Sequence, residues 1–200
     1  MKISVLDLLG ASLSLSSTYY FTKAARLAWL IGITAIILNS ILYWQKCIFG
    51  HLILEGIYLI SMLVGLWRWR LTNTKNNQIK QLSYSQCLWG GSLSICFIYI
   101  VAQCLVKFTA SPVPVLDAIT TVLSLVAQLL LVYKFLQCWI LWFVVDAIMA
   151  VMQFSQGMPF HAVATTFYLV LAILGYKRWQ KLFALENKGS NALALVANLH

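Results

Sequence analysis

The sequence predicts an all-α integral membrane protein. Seven transmembrane helices form a parallel 3+1+3 repeat bundle: three helices, a linking fourth, and three more. Three observations carry this. Hydrophobic residues make up 62% of the 200 and charged residues 10%, with a mean hydropathy of +0.85. Long apolar runs recur, with basic residues gathered at alternate junctions. The chain also matches itself when shifted by 110 residues. A soluble domain is roughly half apolar and about a quarter charged, so the natural partner of this surface is the lipid bilayer. The net charge of +9 raises nucleic acid as a partner. The basic residues, however, lie beside apolar runs, as topology signals do, and no nucleic-acid role is expected.

A helix crosses the hydrocarbon core in about 20 residues, and in lipid its backbone groups must bond within the segment. The runs at 3–21, 27–45, 48–67, 84–105, 115–133, 138–154 and 160–177 meet this test. The first, diluted by Ser12, Ser14, Ser16 and Ser17, reads as a retained helix rather than a removed signal peptide. Pro112 and Pro114 mark the loop before the fifth run, and Pro159 suits the first turn of the seventh. Eleven of the 14 basic residues fall between runs one and two, three and four, five and six, or after seven. Only Lys2, Lys46 and Lys107 fall on the other side. The positive-inside rule then places the N-terminus outside and the C-terminus in the cytoplasm, in a multi-pass protein of the cell (inner) membrane.

In the 110-residue register, "VLD" at 5–7 meets "VLD" at 115–117, Trp29 meets Trp139 and His51 meets His161. "YLISMLVGLWRW" at 58–69 meets "YLVLAILGYKRW" at 168–179. The organisation read from this is a first three-helix repeat with its cytoplasmic loop at 1–80 and a linking helix at 81–110. A second repeat follows at 111–181, then a loosely ordered cytoplasmic tail at 182–200. One linking helix returns the second repeat to the same orientation. Carriers built from such parallel repeats bind their solute near the midplane.

Trp139, Trp142 and Asp146 are spaced i, i+3, i+7 and share one helix face. A carboxylate in mid-span costs about 2.5–3.5 kcal/mol on insertion scales and faces a cavity or a partner. Two indoles beside a carboxylate suit a flat cation, through stacking, cation–π attraction and counter-charge. Glu55 and Tyr58 on the third span, Gln128 on the fifth and Tyr168 on the seventh are the further candidates for substrate contact. Other roles stay open: a helix–helix hydrogen bond for Asp146 or Gln128, an interfacial place for Glu55, an aromatic-belt place for Trp139. Trp29, Trp69 and Trp179 read as belt residues, and Asp7 and Asp117 as helix caps. Two isolated histidines make no metal site. The five cysteines lack C-x-x-C spacing and read as small apolar packing residues. Hydrolase, metalloprotease and phosphate-loop motifs are absent, so the chain does not read as an enzyme, and no cofactor is expected.

Residues 117–146, "DAITTVLSLVAQLLLVYKFLQCWILWFVVD", resemble the signature region of the PnuC vitamin transporters. That family carries Trp-x-x-Trp-x-x-x-Asn/Asp in its sixth helix, met here by Trp139, Trp142 and Asp146, with Asp117, Ser124 and Lys134 upstream. The Tyr-x₆-Gly-x₃-Trp ending from Tyr58 to Trp69 is similar to the family too. The resemblance runs from about residue 5 to 180. It implies a homotrimer of seven-helix bundles that takes up a cationic vitamin precursor by facilitated diffusion. The substrate it implies is usually nicotinamide riboside, trapped afterwards by a cytoplasmic kinase. It also implies ligand contacts at Trp139, Trp142 and Asp146, with Gln128 and Tyr168 beside them. Two positions depart from the riboside pattern: Asp146 stands where Asn is usual, and Met62 where many relatives carry Asn. An ionised carboxylate only accepts hydrogen bonds, which suits the donors of an aminopyrimidine. A thiamine carrier of the same family is therefore the alternative reading, and a carrier of another small solute the next.

Overall fold

The computed structural model describes residues 5–45, 49–71, 78–109, 113–155 and 159–197. It includes their side chains apart from Asp7, 49–51, Leu71, 159–161 and 188–197. Among these residues the regular elements are helices: α1 (Val5–Thr22), α2 (Leu27–Gln45), α3 (Phe49–Leu71), α4 (Tyr84–Phe108), α5 (Pro114–Val132), α6 (Cys138–Ser155) and α7 (Pro159–Ala197). Five are long and apolar enough to cross a membrane: α2, α3 over Leu52–Arg70, α4, α5 and α6.

Local chemistry explains the boundaries. Before α4, the Ser83 hydroxyl accepts from the Gln86 backbone N–H at 3.3 Å while the Gln86 side chain accepts from the Ser83 N–H at 3.0 Å, a capping box. Pro114 opens α5, where a missing N–H costs nothing. Asp117 therefore lies in the first turn rather than at the cap the sequence suggested, and Asp7 likewise falls inside α1. His51 and His161, singled out above, and Cys47, one of the five cysteines, lie outside the described side chains. The expected loose tail is corrected: α7 runs on to Ala197. The stretch after Lys177 is rich in Lys, Leu and Ala, good helix formers that need no lipid. Glu186 on this extension accepts a hydrogen bond from the Ile79 N–H at 2.9 Å.

The chain divides into two compact units. The first comprises 1–80, 132–134 and 174–200; the second comprises 81–131 and 135–173. In the first, α2 packs against both α1 and α3. Glycines permit the close approach. A Cβ on Gly32 would crowd Ser17 Oγ at 2.9 Å and Met62 Cε at 3.1 Å. Ser17 donates to the Ala28 carbonyl at 2.8 Å, tying α1 to α2. Outward faces carry large apolar side chains such as Ile53, Ile60, Ile95 and Phe154, each well exposed, as a lipid-facing surface requires. On α4 almost every described side chain is exposed, and Ala102 is its buried residue. Three cysteines, Cys87, Cys96 and Cys104, lie on that exposed surface, so among the described cysteines buried packing holds for Cys138 alone.

The turns after α1 and α5 have the same build, 110 residues apart. Each has a non-glycine residue in the left-handed region, Ala24 at φ 52° and Lys134 at φ 59°. The Ala25 N–H donates to the Tyr20 carbonyl at 3.2 Å, and the Phe135 N–H to the Leu130 carbonyl at 2.9 Å. These are Schellman-type ends with Ala and Lys where glycine is usual. The following helices open alike, with Ala28 N to Ala25 O and Cys138 N to Phe135 O both at 3.1 Å.

The expected belt tryptophans are not at an interface. Trp29, Trp69 and Trp179 are 0%, 1% and 0% exposed. They form a cluster with Phe21, centroids 4.6 Å from Phe21 to Trp29, 5.2 Å from Trp29 to Trp69 and 6.4 Å from Trp69 to Trp179. Two of the polar edges find backbone: Trp69 Nε1 donates to the Val132 carbonyl at 3.1 Å and Trp179 Nε1 to the Phe21 carbonyl at 3.0 Å, while the buried Trp29 Nε1 has no hydrogen-bond partner among the described residues. The exposed indoles are instead Trp44, Trp67 and Trp89, near helix ends.

Candidate substrate-binding face

The second unit holds five of the seven candidate residues: Gln128, Trp139, Trp142, Asp146 and Tyr168. On α6, Trp139, Trp142, Val145, Asp146 and Met152 point away from the exposed side, which carries Ile140, Phe143, Val144, Val151 and Phe154. Trp139 is 2% exposed, so it is a buried side chain and not a belt anchor. Trp142 and Asp146, one turn apart, are half-buried on the same face.

On α5 the buried polar residues are Thr120, Ser124 and Gln128, spaced four apart and so stacked along one stripe. The Thr120 hydroxyl donates to the Leu116 and Asp117 carbonyls at 3.0 and 3.1 Å, and Ser124 to the Thr121 carbonyl at 2.9 Å. Both hydroxyls thus turn back on their own helix, which removes much of the cost of a polar group in a span. The longer Gln128 side chain carries an amide that can both donate and accept. Tyr168 is half-buried on the α7 face of Thr165 and Ala172. Thr165 donates to Gln153 Oε1 of α6 at 2.7 Å, a link not anticipated from the sequence. Its signal was two polar residues, twelve apart, in neighbouring spans.

Glu55 and Tyr58 belong to the first unit, on a face of α3 that continues through Met62 and Gly65 to Trp69. Glu55 Oε1 accepts from Asn39 Nδ2 of α2 at 3.5 Å. This polar pair ties α2 to α3 as Thr165 and Gln153 tie α6 to α7. Thr165 is the 110-residue counterpart of Glu55.

The two halves of the 110-residue register differ at the candidate positions. Trp142 and Asp146 correspond to Gly32 and Ile36, and Met62 corresponds to Ala172. In the first unit the sulfur end of Met62 and the Ser17 hydroxyl occupy the space beside Gly32. The second unit has a large aromatic and a carboxylate on α6, and only alanine at the matching register position on α7.

The sequence model of a family described as nicotinamide mononucleotide transporter matches residues 4–181. The chain is 27% identical over 169 residues to the nicotinamide riboside transporter PnuC of Neisseria mucosa, covering 77% of this chain and 64% of that protein. It therefore spans a little under two thirds of that relative's length. It is 22% identical over 214 residues to the nicotinamide riboside transporter PnuC of Escherichia coli, covering 92% of this chain and 83% of the relative. A crystal structure of the vitamin B3 transporter PnuC superposes with a TM-score of 0.72 at 24% identity, over 90% of this chain and 82% of the other, which establishes a common fold. The multi-helix apolar architecture, the Trp–Trp–Asp face and the match over nearly the whole chain lead to one conclusion: the protein belongs to the nicotinamide mononucleotide transporter family, the PnuC family of multi-pass membrane transporters.

Proposed function

We propose that the protein carries nicotinamide riboside across the cell membrane by facilitated diffusion, with Trp139, Trp142, Asp146, Gln128 and Tyr168 as its substrate contacts. The observation that carries this reading is the inward α6 face, whose Trp142–Asp146 pair has no counterpart in the first copy. Nicotinamide riboside is a flat pyridinium cation with a carboxamide. The indoles offer stacking and cation–π attraction. The carboxylate offers counter-charge and accepts the carboxamide N–H donors. An acceptor-only Asp146 is thus compatible with the riboside, and the names of both curated relatives favour it over thiamine. Glu55 and Tyr58, on the α3 face of the first unit, are the further candidates, tested by Glu55→Gln and Tyr58→Phe.

The same proposal includes seven spans in a parallel 3+1+3 arrangement: a first repeat at 1–80, a linker at 81–110, a second repeat at 111–181 and a cytoplasmic segment at 182–200. The paired Schellman turns at Ala24 and Lys134 support the repeat. The N-terminus lies outside and the C-terminus inside, on the charge pattern. An inside-negative potential of 100 mV favours entry of a monovalent cation by about 2.3 kcal/mol, so no coupling ion is needed for modest accumulation. A cytoplasmic kinase traps the product, and the assembly is a homotrimer. The test is binding: purified protein shows tryptophan quenching with nicotinamide riboside and none with sugars. A folded sample that fails to respond to the vitamin overturns the reading. The mass of the detergent-solubilised complex tests the trimer.

A further inference from the structure

The two indole hydrogen bonds of the tryptophan cluster are reciprocal. Trp69, at the end of α3 in the first copy, bonds the last carbonyl of α5, which belongs to the second. Trp179, on α7 in the second copy, bonds the Phe21 carbonyl in the last turn of α1, which belongs to the first. Trp69 and Trp179 correspond in the 110-residue register. Lys134 adds a third element: its Nζ lies 4.2 Å above the Trp69 ring, and its side chain is only 8% exposed. Arg178, next to Trp179, donates to the fully buried Thr22 hydroxyl at 2.6 Å. All these contacts lie within the first unit, at its basic end.

Their chemistry suits a contact that opens and closes. Both acceptors are carbonyls of a terminal helical turn, groups that water can satisfy once the indole leaves. Opening loses aromatic packing but returns the Lys134 ammonium to water, so the opposing terms offset. A junction so balanced is a two-state element whose matched contacts open together. We infer that the reciprocal caps Trp69–Val132 and Trp179–Phe21, with Lys134 lodged on Trp69, form the gate that closes the basic end of the transport path. This rests on the transport reading above.

The test has two readouts. The first needs no substrate: Cys138, fully buried four residues after Lys134, reports opening in a variant with Cys47, Cys87, Cys96 and Cys104 changed to Ser. In this background Trp69→Phe and Trp179→Phe each label about fivefold faster with a maleimide applied from the basic side, the population change matching one net hydrogen bond. Lys134→Gly, which relieves the positive φ and so keeps the turn folded, removes the buried ammonium whose return to water favours opening and labels more slowly, and Lys134→Arg restores the parent rate. The second readout is vectorial. In reconstituted vesicles the half-saturating nicotinamide riboside concentration falls about fivefold for the basic face and less than twofold for the opposite face, because only the basic-side-open population grows. Unchanged labelling, or equal shifts from both faces, overturns the gate. A folded, unaltered protein that moves no vitamin is the separate failure of the transport reading.

Discussion

The indole of Trp29 covers Gly65 so closely that a Cβ on the glycine would meet the ring atoms Cη2, Cζ3 and Cζ2. The ring is held on its other sides by Phe21 and Trp69 and cannot retreat. Gly65→Ala therefore costs about 1–3 kcal/mol, the usual penalty for overpacking, read as a lower thermal midpoint in detergent. Gly56 on the same helix has nothing within 4 Å of its Cβ direction, so Gly56→Ala leaves the midpoint nearly unchanged. Equal midpoints for the two variants refute the packing account.

Asp146 is the charge that a cationic ligand should feel. Asp146→Ala weakens nicotinamide riboside binding by roughly 10- to 150-fold, the loss expected when a charged hydrogen bond of about 1.5–3 kcal/mol is removed. Asp146→Asn keeps one acceptor oxygen and costs the riboside less than it costs thiamine. Titration of both vitamins against both variants measures this. An identical loss for the two ligands removes the role assigned to the carboxylate.

Lys134 lies outside the spans, in the α5–α6 turn. Burial pushes its pKa down from 10.5 to about 8, against the pull of Glu186 on α7, with Arg26 adding to the depression. The folded value lies below the unfolded one. Between about pH 8 and 10.5 the unfolded chain therefore binds more protons, and stability rises with pH through that window. Below pH 8 both states carry the charge and the slope vanishes. Lys134→Arg, charged throughout, lacks the rise. Midpoints of the two proteins across pH 7–10 give the comparison, and parallel curves contradict the assignment.

Thr165 and Gln153 join α7 to α6 at 2.7 Å. Thr165→Val and Gln153→Leu each lower the midpoint by an amount near 0.6–1.7 kcal/mol, the range measured for hydrogen bonds between membrane helices. The double variant loses less than the sum, because each single change already breaks the shared bond. Additive losses show that the two residues act apart.

Most helix positions were legible from the sequence to within a few residues, because in lipid the length of an apolar run sets the length of a helix, while α7 runs well past its expected end at 177. The expected 27–45 and 138–154 became Leu27–Gln45 and Cys138–Ser155. The inward face of Trp139, Trp142 and Asp146 was legible too, since a 3.6-residue period survives any packing arrangement. Partners were not. An indole near a span end suits a membrane interface and a buried cluster equally well in the sequence. What buries Trp69 and Trp179 is a pair of carbonyls 63 and 158 residues away in the chain. Nor does a sequence tell which of two matched glycine and methionine positions is filled. Met62 packs beside Gly32 in the first unit, while Ala172 and Trp142 stand at the corresponding register positions in the second. Composition, periodicity and charge decided the solvent, the helices and the faces, all of which depend on near neighbours in the chain. Tertiary structure alone decided which polar edges are satisfied and by what, because those bonds join residues that only folding brings together.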